Sequence, residues 1–231
     1  MTTRVHLEPA YVLHCRAFRE TSLIVESFTR GNGRQAVVAR GAKSAKSKLR
    51  SVLQPFRPLL MSWIQKSDLG TLTAADQVAS PPPLQGPALY CGLYLNELLM
   101  RLLHRGDPHV ELFERYRHAL MELAAGTPPQ PLLRLFEKHL LEAIGYAMLL
   151  DREYESGAKV EAGNWYGYEP ERGPVLRKAA GKECVSGAAL LAFENEQLET
   201  VHLLELRMLM RSVISYHLGG KPLASQSLFT S

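Results

Sequence analysis

The chain has 231 residues, of which 46% are hydrophobic and 22% charged, a composition typical of a globular protein with a substantial core. Its three cysteines, Cys15, Cys91 and Cys184, lie far apart, which excludes a disulfide framework and a Cys-x-x-Cys metal signature. No apolar run approaches the roughly 20 residues of a membrane span, so we expect no membrane partner and a cytoplasmic location. The net charge of +4 is unevenly spread, because residues 1–80 carry 12 Lys/Arg against five Asp/Glu. A basic N-terminal part indicates a nucleic-acid partner.

From Tyr11 to Ala79 the apolar residues follow the period of two that is typical of β-strands. Gly31-Asn32-Gly33 tolerates positive φ and predicts a hairpin turn into a strand at Gln35–Arg40. Pro58–Gln65 and Leu69–Val78 predict two further strands. Five short strands in about 70 residues predict a small barrel, for which the oligonucleotide/oligosaccharide-binding (OB) fold is the natural candidate. An SH3-like barrel remains open on this pattern.

No acidic residue occurs between Glu26 and Asp68, although the same stretch is rich in cations. These cations are Arg30, Arg34, Arg40, Lys43, Lys46, Lys48, Arg50, Arg57 and Lys66. Lysines and arginines two or three residues apart neutralise backbone phosphates without reading bases, so the stretch is predicted to bind nucleic acid. A solvated loop without a partner is the alternative. Phe18, beside Arg16 and Arg19, is the best candidate for an exposed ring that stacks on an unpaired base.

The apolar period becomes helical after Pro81-Pro82-Pro83. Three amphipathic helices predict a bundle, and a Gly-, Trp- and Tyr-rich stretch beyond them predicts a small irregular or β insert. A last helix, at about Leu198–Leu218, is expected to pack back on the bundle. The sequence therefore predicts an α+β protein with four segments. These are a five-stranded OB barrel at 1–80, a helical bundle domain at 81–150, the insert at 151–187, and the C-terminal helix and tail at 188–231.

Arg134 and Lys138 lie one helical turn apart on the third predicted helix and flank the apolar residues Leu133 and Phe136. A basic rim on an apolar groove suits an acidic peptide that ends in a hydrophobic carboxylate. The ordinary edge of an amphipathic helix explains the same spacing and is the simpler interpretation of the pattern alone.

The chain contains little that indicates catalysis. Its eight histidines are scattered without His-Glu-x-x-His spacing, and no nucleophile–base set or acidic constellation stands out. We therefore predict a protein that is not an enzyme and that uses no metal and no cofactor. Three other interpretations stay open: an RNA-binding OB module, a metal-dependent nuclease or phosphotransferase, and a protein-interaction adaptor whose basic loop is merely solvated.

Many short motifs follow one another in a fixed order along the chain. In the N-terminal part they are Tyr11-Val12-Leu13-His14, Arg19-Glu20-Thr21-Ser22-Leu23, Val38-Ala39-Arg40-Gly41-Ala42-Lys43 and Leu53-Gln54-Pro55-Phe56. In the C-terminal part they are Leu93-Tyr94-Leu95-Asn96-Glu97-Leu98-Leu99, Leu133-Arg134 with Phe136-Glu137, Gly145-Tyr146 and Leu218-Gly219-Gly220-Lys221-Pro222-Leu223. This ordered set resembles the RecO recombination-mediator family of bacterial DNA repair over nearly the whole length.

The resemblance implies an N-terminal OB fold, a helical domain and, in some members, a zinc module with four cysteines. This chain departs from the last feature, since only Cys184 lies in the corresponding region. The resemblance also implies binding of single- and double-stranded DNA, annealing of complementary strands, and contact with the acidic C-terminal tail of single-stranded-DNA-binding protein. With the partner RecR, such proteins help to load RecA onto coated single strands, which implies a location at the nucleoid.

The resemblance and the basic stretch together assign candidate residues to two sites. The DNA-binding candidates are Arg16, Arg19, Arg34, Arg40, Lys43, Lys46, Lys48 and Arg50. The candidates for the tail of single-stranded-DNA-binding protein are Arg134, Lys138, Leu133 and Phe136.

Overall fold

The computed structural model describes residues 2–44, 46–181 and 183–229. Within them the chain forms two compact units, which we call unit 1 (residues 2–127 with 223–229) and unit 2 (residues 128–222). These units are not the four predicted segments, whose boundaries stay a prediction. Among the described residues, no helix combines the length and the apolar character needed to cross a membrane.

Five strands of unit 1 close into a barrel in the order β1-β2-β3-β5-β4. They are β1 (Thr3–Phe18), β2 (Ser22–Thr29), β3 (Gly33–Ala39), β4 (Pro58–Gln65) and β5 (Gly70–Gln77). All neighbours are antiparallel except β3 and β5, whose parallel pairing closes the barrel. A short helix, α1 (Leu49–Val52), connects β3 to β4. This topology confirms the predicted α+β fold with an N-terminal OB barrel.

The interior of the barrel is filled by the apolar residues that alternate along its strands. Val12, Val25, Val37 and Met61 are fully buried, and Trp63 is 2% exposed. Because successive side chains of a strand point to opposite faces, one row fills the core while its neighbours face outward. The buried rings cannot stack on bases, so that within the barrel this role is left to aromatic residues at the ends of the strands.

The β2–β3 hairpin turns at Gly33, as the sequence predicts, and this glycine is required sterically. Its φ is +65°, and a Cβ at this position would lie 2.0 Å from the carbonyl oxygen of Asp107. The backbone N–H of Gly106 also donates to the carbonyl oxygen of Arg34 at 3.0 Å. The hairpin is therefore held directly against the loop between the two helices of unit 1.

Gly33→Ala is expected to destabilise unit 1 by at least about 3 kcal/mol, because strain and a backbone clash act together. Gly41→Ala is the matched control: its φ is +69°, and a Cβ there meets no described atom within 4 Å. Strain alone is expected to cost this variant about 1 kcal/mol. Denaturant unfolding of both variants measures the difference, and equal losses would contradict the proposed clash.

Two helices of unit 1, α2 (Gly86–Leu102) and α3 (Val110–Ala125), cover one side of the barrel through an aromatic cluster. The ring of Tyr11 lies 5.6 Å from that of Phe113, and the ring of Phe28 lies 5.5 Å from it. Beside this cluster, the Asn96 side chain donates to the carbonyl oxygen of Leu13 at 2.9 Å. These contacts join the helices to strands β1 and β2.

The C-terminal segment of unit 1 is a 3-10 helix, Ala224–Phe229, that is tied to α2. The Glu97 carboxylate accepts hydrogen bonds from the backbone N–H groups of Ala224 and Ser225 and from the Ser225 hydroxyl. Burial opposes ionisation of Glu97, but these bonds and nearby Arg101 outweigh it and lower its pKa.

Unit 2 combines three helices with a small sheet. The helices are α4 (Pro129–Ala143), α5 (Gly187–Glu194) and α6 (Leu203–His217), and α6 follows a 3-10 turn at Thr200–His202. The sheet has the order β7-β6-β8 and contains β6 (Trp165–Glu169), β7 (Gly173–Arg177) and β8 (Cys184–Ser186). The sheet confirms the predicted β insert, whereas α5 was not predicted.

Candidate nucleic-acid interface

The segment from residue 40 to residue 50, which we call the basic loop, follows β3 and includes the first two residues of α1. Five of its side chains are cationic and exposed: Arg40, Lys43, Lys46, Lys48 and Arg50. Among the described residues, none of these five forms an ion pair. Their charges are therefore available to an anionic partner.

Small and apolar residues hold the basic loop on the barrel. Ala42 is fully buried in the barrel core, and Leu53, directly after α1, is 4% exposed in the same core. Leu49 and Val52 pack against this core from α1. Burial of these residues fixes the backbone on both sides of the lysines, so that the cations project into solvent without forming part of the core.

The turn between β1 and β2 lies beside the basic loop. The backbone N–H of Lys43 donates to the carbonyl oxygen of Thr21 at 3.0 Å, which joins the two segments. Arg16 and Arg19 at this end of β1 are exposed, and the Arg19 guanidinium lies 5.2 Å from the centre of the Phe18 ring. Phe18 is half-buried, so part of its ring stays accessible.

The structure thus places seven of the eight predicted DNA-binding cations at one end of the barrel. They are Arg16, Arg19, Arg40, Lys43, Lys46, Lys48 and Arg50. Glu20, in the β1–β2 turn, is an exposed acid among them. Such an excess of exposed cations is suited to neutralise consecutive phosphates, and the mobile lysine side chains require no particular base sequence.

Arg34, the eighth candidate, lies elsewhere, and its guanidinium is already engaged. Its Nη1 donates to the carbonyl oxygen of Met100 at 2.8 Å and lies 3.8 Å from Oε2 of the buried Glu26. Arg105 also pairs with Glu26. Burial lowers the pKa of Arg34, and the Glu26 carboxylate opposes this. Arg40 is six positions along the chain from Arg34, about 20 Å at the usual rise of a strand, so Arg34 is not part of the basic loop surface.

The second predicted site, on α4, is not an open groove. Leu133 and Phe136 are 7% and 3% exposed, and both belong to the core of unit 2. An amphipathic helix buries its apolar stripe against its neighbours. Leu133 and Phe136 are such stripe residues, in agreement with the simpler interpretation of the sequence pattern. The structure therefore gives no exposed apolar floor at the predicted position.

The two cations of α4 are engaged within unit 2. Arg134 is 8% exposed and pairs with Glu137, which is fully buried. The Lys138 ammonium donates to the carbonyl oxygens of Phe193 at 3.1 Å and of Glu194 at 2.9 Å. These carbonyls end α5, so Lys138 caps the negative end of that helix. This role depends on α5, which was not predicted, although Ser186 before an apolar run is a typical N-cap signal.

The three cysteines are free, and no group of three His, Cys, Asp or Glu side chains in the described parts of the chain is arranged to hold a metal ion. Cys15 packs against the core of the barrel, and its Sγ is 3.8 Å from the carbonyl oxygen of Leu53. Burial raises the pKa of the Cys15 thiol to about 11, which keeps this sulfur protonated and unreactive at neutral pH.

Two models of known protein families together match almost the whole chain. The family described as "Recombination protein O N terminal" matches residues 1–81, and the family described as "Recombination protein O C terminal" matches residues 84–227. The first match covers the barrel, and the second covers the helices from α2 to α6.

Three curated relatives named "DNA repair protein RecO" are similar to this chain over nearly their full length. The protein of Nitrosospira multiformis is 46% identical over 231 residues, which cover 97% of this chain and 95% of the relative. That of Nitrosococcus oceani is 45% identical and covers 97% and 93%, and that of Methylococcus capsulatus is 46% identical and covers 99% and 95%. With both family matches and this coverage, the chain belongs to the RecO family of DNA repair and recombination proteins.

Proposed function

We propose that this chain binds single- and double-stranded DNA through the basic loop and the β1–β2 turn, without a catalytic step. The observation that carries the proposal is the set of seven exposed cations, which pair with no described acid. Five of them lie on the basic loop, which is fixed to the barrel core, and Arg16 and Arg19 lie beside it at the β1–β2 turn. Arg34 is not part of the proposed DNA-binding surface, because its guanidinium already contacts the Glu26 carboxylate and the carbonyl oxygen of Met100. For a protein with this function we propose a cytoplasmic location in association with the nucleoid.

Strand annealing follows from the same chemistry. Two complementary strands repel each other through their phosphates, and the repulsion is weakened when nearby cations neutralise part of the charge. Lysines on a loop neutralise phosphates of any sequence, so annealing by this surface would not depend on the bases. The chain is proposed to anneal strands without consuming a cofactor.

The proposal includes three protein partners that the family resemblance implies. They are RecR, the acidic tail of single-stranded-DNA-binding protein and, indirectly, RecA, which the chain would help to load onto coated single strands. Arg134 is the residue assigned to the tail, with Lys138 and the apolar Leu133 and Phe136 beside it. Because Arg134 pairs with Glu137 in the free protein, binding of the tail requires the guanidinium to leave or share this carboxylate.

Fluorescence anisotropy of a labelled single strand, measured at several salt concentrations, tests the central claim. The association constant is expected to fall log-linearly with salt, with a slope of about −0.7 for each phosphate that is neutralised. Duplex DNA and an RNA of the same sequence serve as comparisons, and gel analysis in Mg²⁺ checks that the DNA stays intact. Absence of binding at low salt would refute the proposal, and cleavage of the DNA would favour a nuclease.

A further inference from the structure

Unit 2 contains a cavity of about 140 Å³ that no part of the proposed function uses. Three segments form it: the chain after α4, the turn between β6 and β7, and the C-terminal end of α6. Tyr146, Glu171, Arg172 and His217 are among its lining residues. The first three are exposed, so the cavity can be reached from solvent.

Aromatic rings form one wall of the cavity. The ring centres of Tyr146 and His217 lie 4.3 Å apart at an interplanar angle of 40°. Tyr146 is nevertheless 45% exposed, which leaves much of its ring without a protein contact. Burial lowers the pKa of His217 although Glu171 opposes this, so the imidazole is neutral at pH 7. The wall is an uncharged aromatic surface on which another flat ring can stack.

Polar groups of opposite character stand at the rim. Glu171, on the β6–β7 turn, is exposed and lines the cavity, so its carboxylate is an accessible hydrogen-bond acceptor. Its φ of +65° is a conformation that non-glycine residues rarely adopt. The side chain of the neighbouring Arg172 is 60% exposed. Its Nη1 donates to the Glu169 carboxylate at 3.3 Å and its guanidinium carbon lies 5.8 Å from the centre of the Tyr154 ring, which leaves further N–H donors for a ligand. The rim thus offers both a hydrogen-bond acceptor and hydrogen-bond donors to the edge of a ligand.

The size and lining of the cavity select one class of ligand. Its volume lies well below the roughly 300–1,000 Å³ of sites for drug-sized molecules, so it accepts about one ring system. A nucleobase has a flat face for the aromatic wall and an edge with both donors and acceptors. A carboxylate accepts from the amino group of cytosine, and a guanidinium donates to ring nitrogens and carbonyl oxygens. The ring of a Phe, Tyr or Trp side chain carries at most one polar group at its edge.

We infer that this cavity binds one unpaired nucleobase of single-stranded DNA, stacked on Tyr146 and held at its edge by Glu171 and Arg172. The inference rests on the proposed function, because it requires that the chain bind single strands. Stacking involves no phosphate and so does not change the salt dependence of binding. Bases inside a duplex are already stacked and paired, and therefore the cavity favours single strands over duplexes.

Replacing Tyr146 with alanine tests the inference. Affinity for a labelled oligothymidylate is expected to fall at least about fivefold, the lower end of the known contribution of one stacked base. The salt slope and the affinity for duplex DNA should not change. Tyr146→Phe keeps the ring and should bind as tightly as the parent protein. Tyr90→Ala, which removes another exposed tyrosine outside the cavity, is the matched control and should also bind normally.

An oligonucleotide of the same length that lacks its bases separates stacking from indirect effects. Parent and Tyr146→Ala proteins are expected to bind it equally, since it has nothing to stack. Loss of affinity for this strand too, or unchanged affinity of Tyr146→Ala for oligothymidylate, would overturn the inference.

Photocrosslinking of a 5-bromouracil strand to the parent protein is a second measurement, which does not depend on folding of a variant. We expect the peptide that contains Tyr146 to be labelled, and its absence from the products would overturn the inference. Failure of the parent protein to bind any single strand would instead refute the proposed function itself.

Discussion

Replacing Lys43, Lys46 and Lys48 together with glutamine is expected to lower affinity for single-stranded DNA about a hundredfold at low salt. Each lysine that neutralises a phosphate releases a counterion, so loss of three should make the salt slope shallower by about 2. The loss should be the same for homopolymers and mixed sequences, because phosphates carry no sequence information. Anisotropy titrations at several salt concentrations measure the affinity and the slope together.

A matched variant separates the effect of losing the basic-loop lysines from the effect of lowering the net charge of the protein. Lys159, Lys178 and Lys221 are exposed lysines of unit 2, and their replacement with glutamine removes the same three charges. This control should retain nearly the parent affinity and slope. Both variants should keep their stability within about 0.5 kcal/mol, since exposed side chains contribute little to folding. Equal weakening by the two triple variants would show that the basic loop is not the binding surface.

The barrel and the basic loop could be predicted from sequence because their causes are local. Alternating apolar residues require one buried face, and Gly31-Asn32-Gly33 allows only a few compact turns. Cations two or three residues apart with no acid nearby have no local partner, so most of them remain in solvent. The exposed side chains of Lys43 and Lys46 agree with this expectation.

Arg34 shows where local reasoning ends. Its position in a basic stretch made it resemble its neighbours Arg40 and Lys43. The carbonyl group that it contacts belongs to Met100, 66 residues away, and Arg105 shares its carboxylate partner. These contacts form only in the folded chain, and the spacing of residues along the sequence does not predict them. The cavity beside Tyr146 is equally hidden, because its three walls come from separate segments.

For α4, the apolar sequence pattern correctly predicted an amphipathic helix. It did not predict how much of the helix surface is buried by neighbouring elements. Leu133, Arg134, Phe136 and Glu137 are all buried, so the covered face is wider than one apolar stripe. A charged residue at the edge of such a stripe is predicted to be exposed when only one neighbouring element is considered. Within unit 2, α4 is contacted by α6, and Lys138 also contacts the end of α5.

Arg134→Ala is accordingly expected to destabilise unit 2 by about 3 kcal/mol, because removing one partner of a buried ion pair leaves the other charge poorly compensated. A loss of affinity for the acidic tail in this variant would therefore not identify Arg134 as a tail ligand. Denaturant unfolding, followed beside tail-peptide binding, should show the two losses together. A variant as stable as the parent would contradict the structural role of the pair.

The double replacement Arg134→Met with Glu137→Leu separates folding from binding. Apolar side chains of similar size commonly substitute for a buried ion pair without loss of stability, so this variant should unfold close to the parent protein. If Arg134 also contacts the tail, the stable double variant should still lose affinity for an acidic peptide that ends in a hydrophobic residue, and it should bind DNA normally. Retained peptide affinity would place the tail site elsewhere and leave Arg134 with a purely structural role. Because the phosphate contacts are assigned to unit 1 and neither replaced residue lines the cavity beside Tyr146, loss of DNA binding in the double variant would contradict the proposed separation of the two functions.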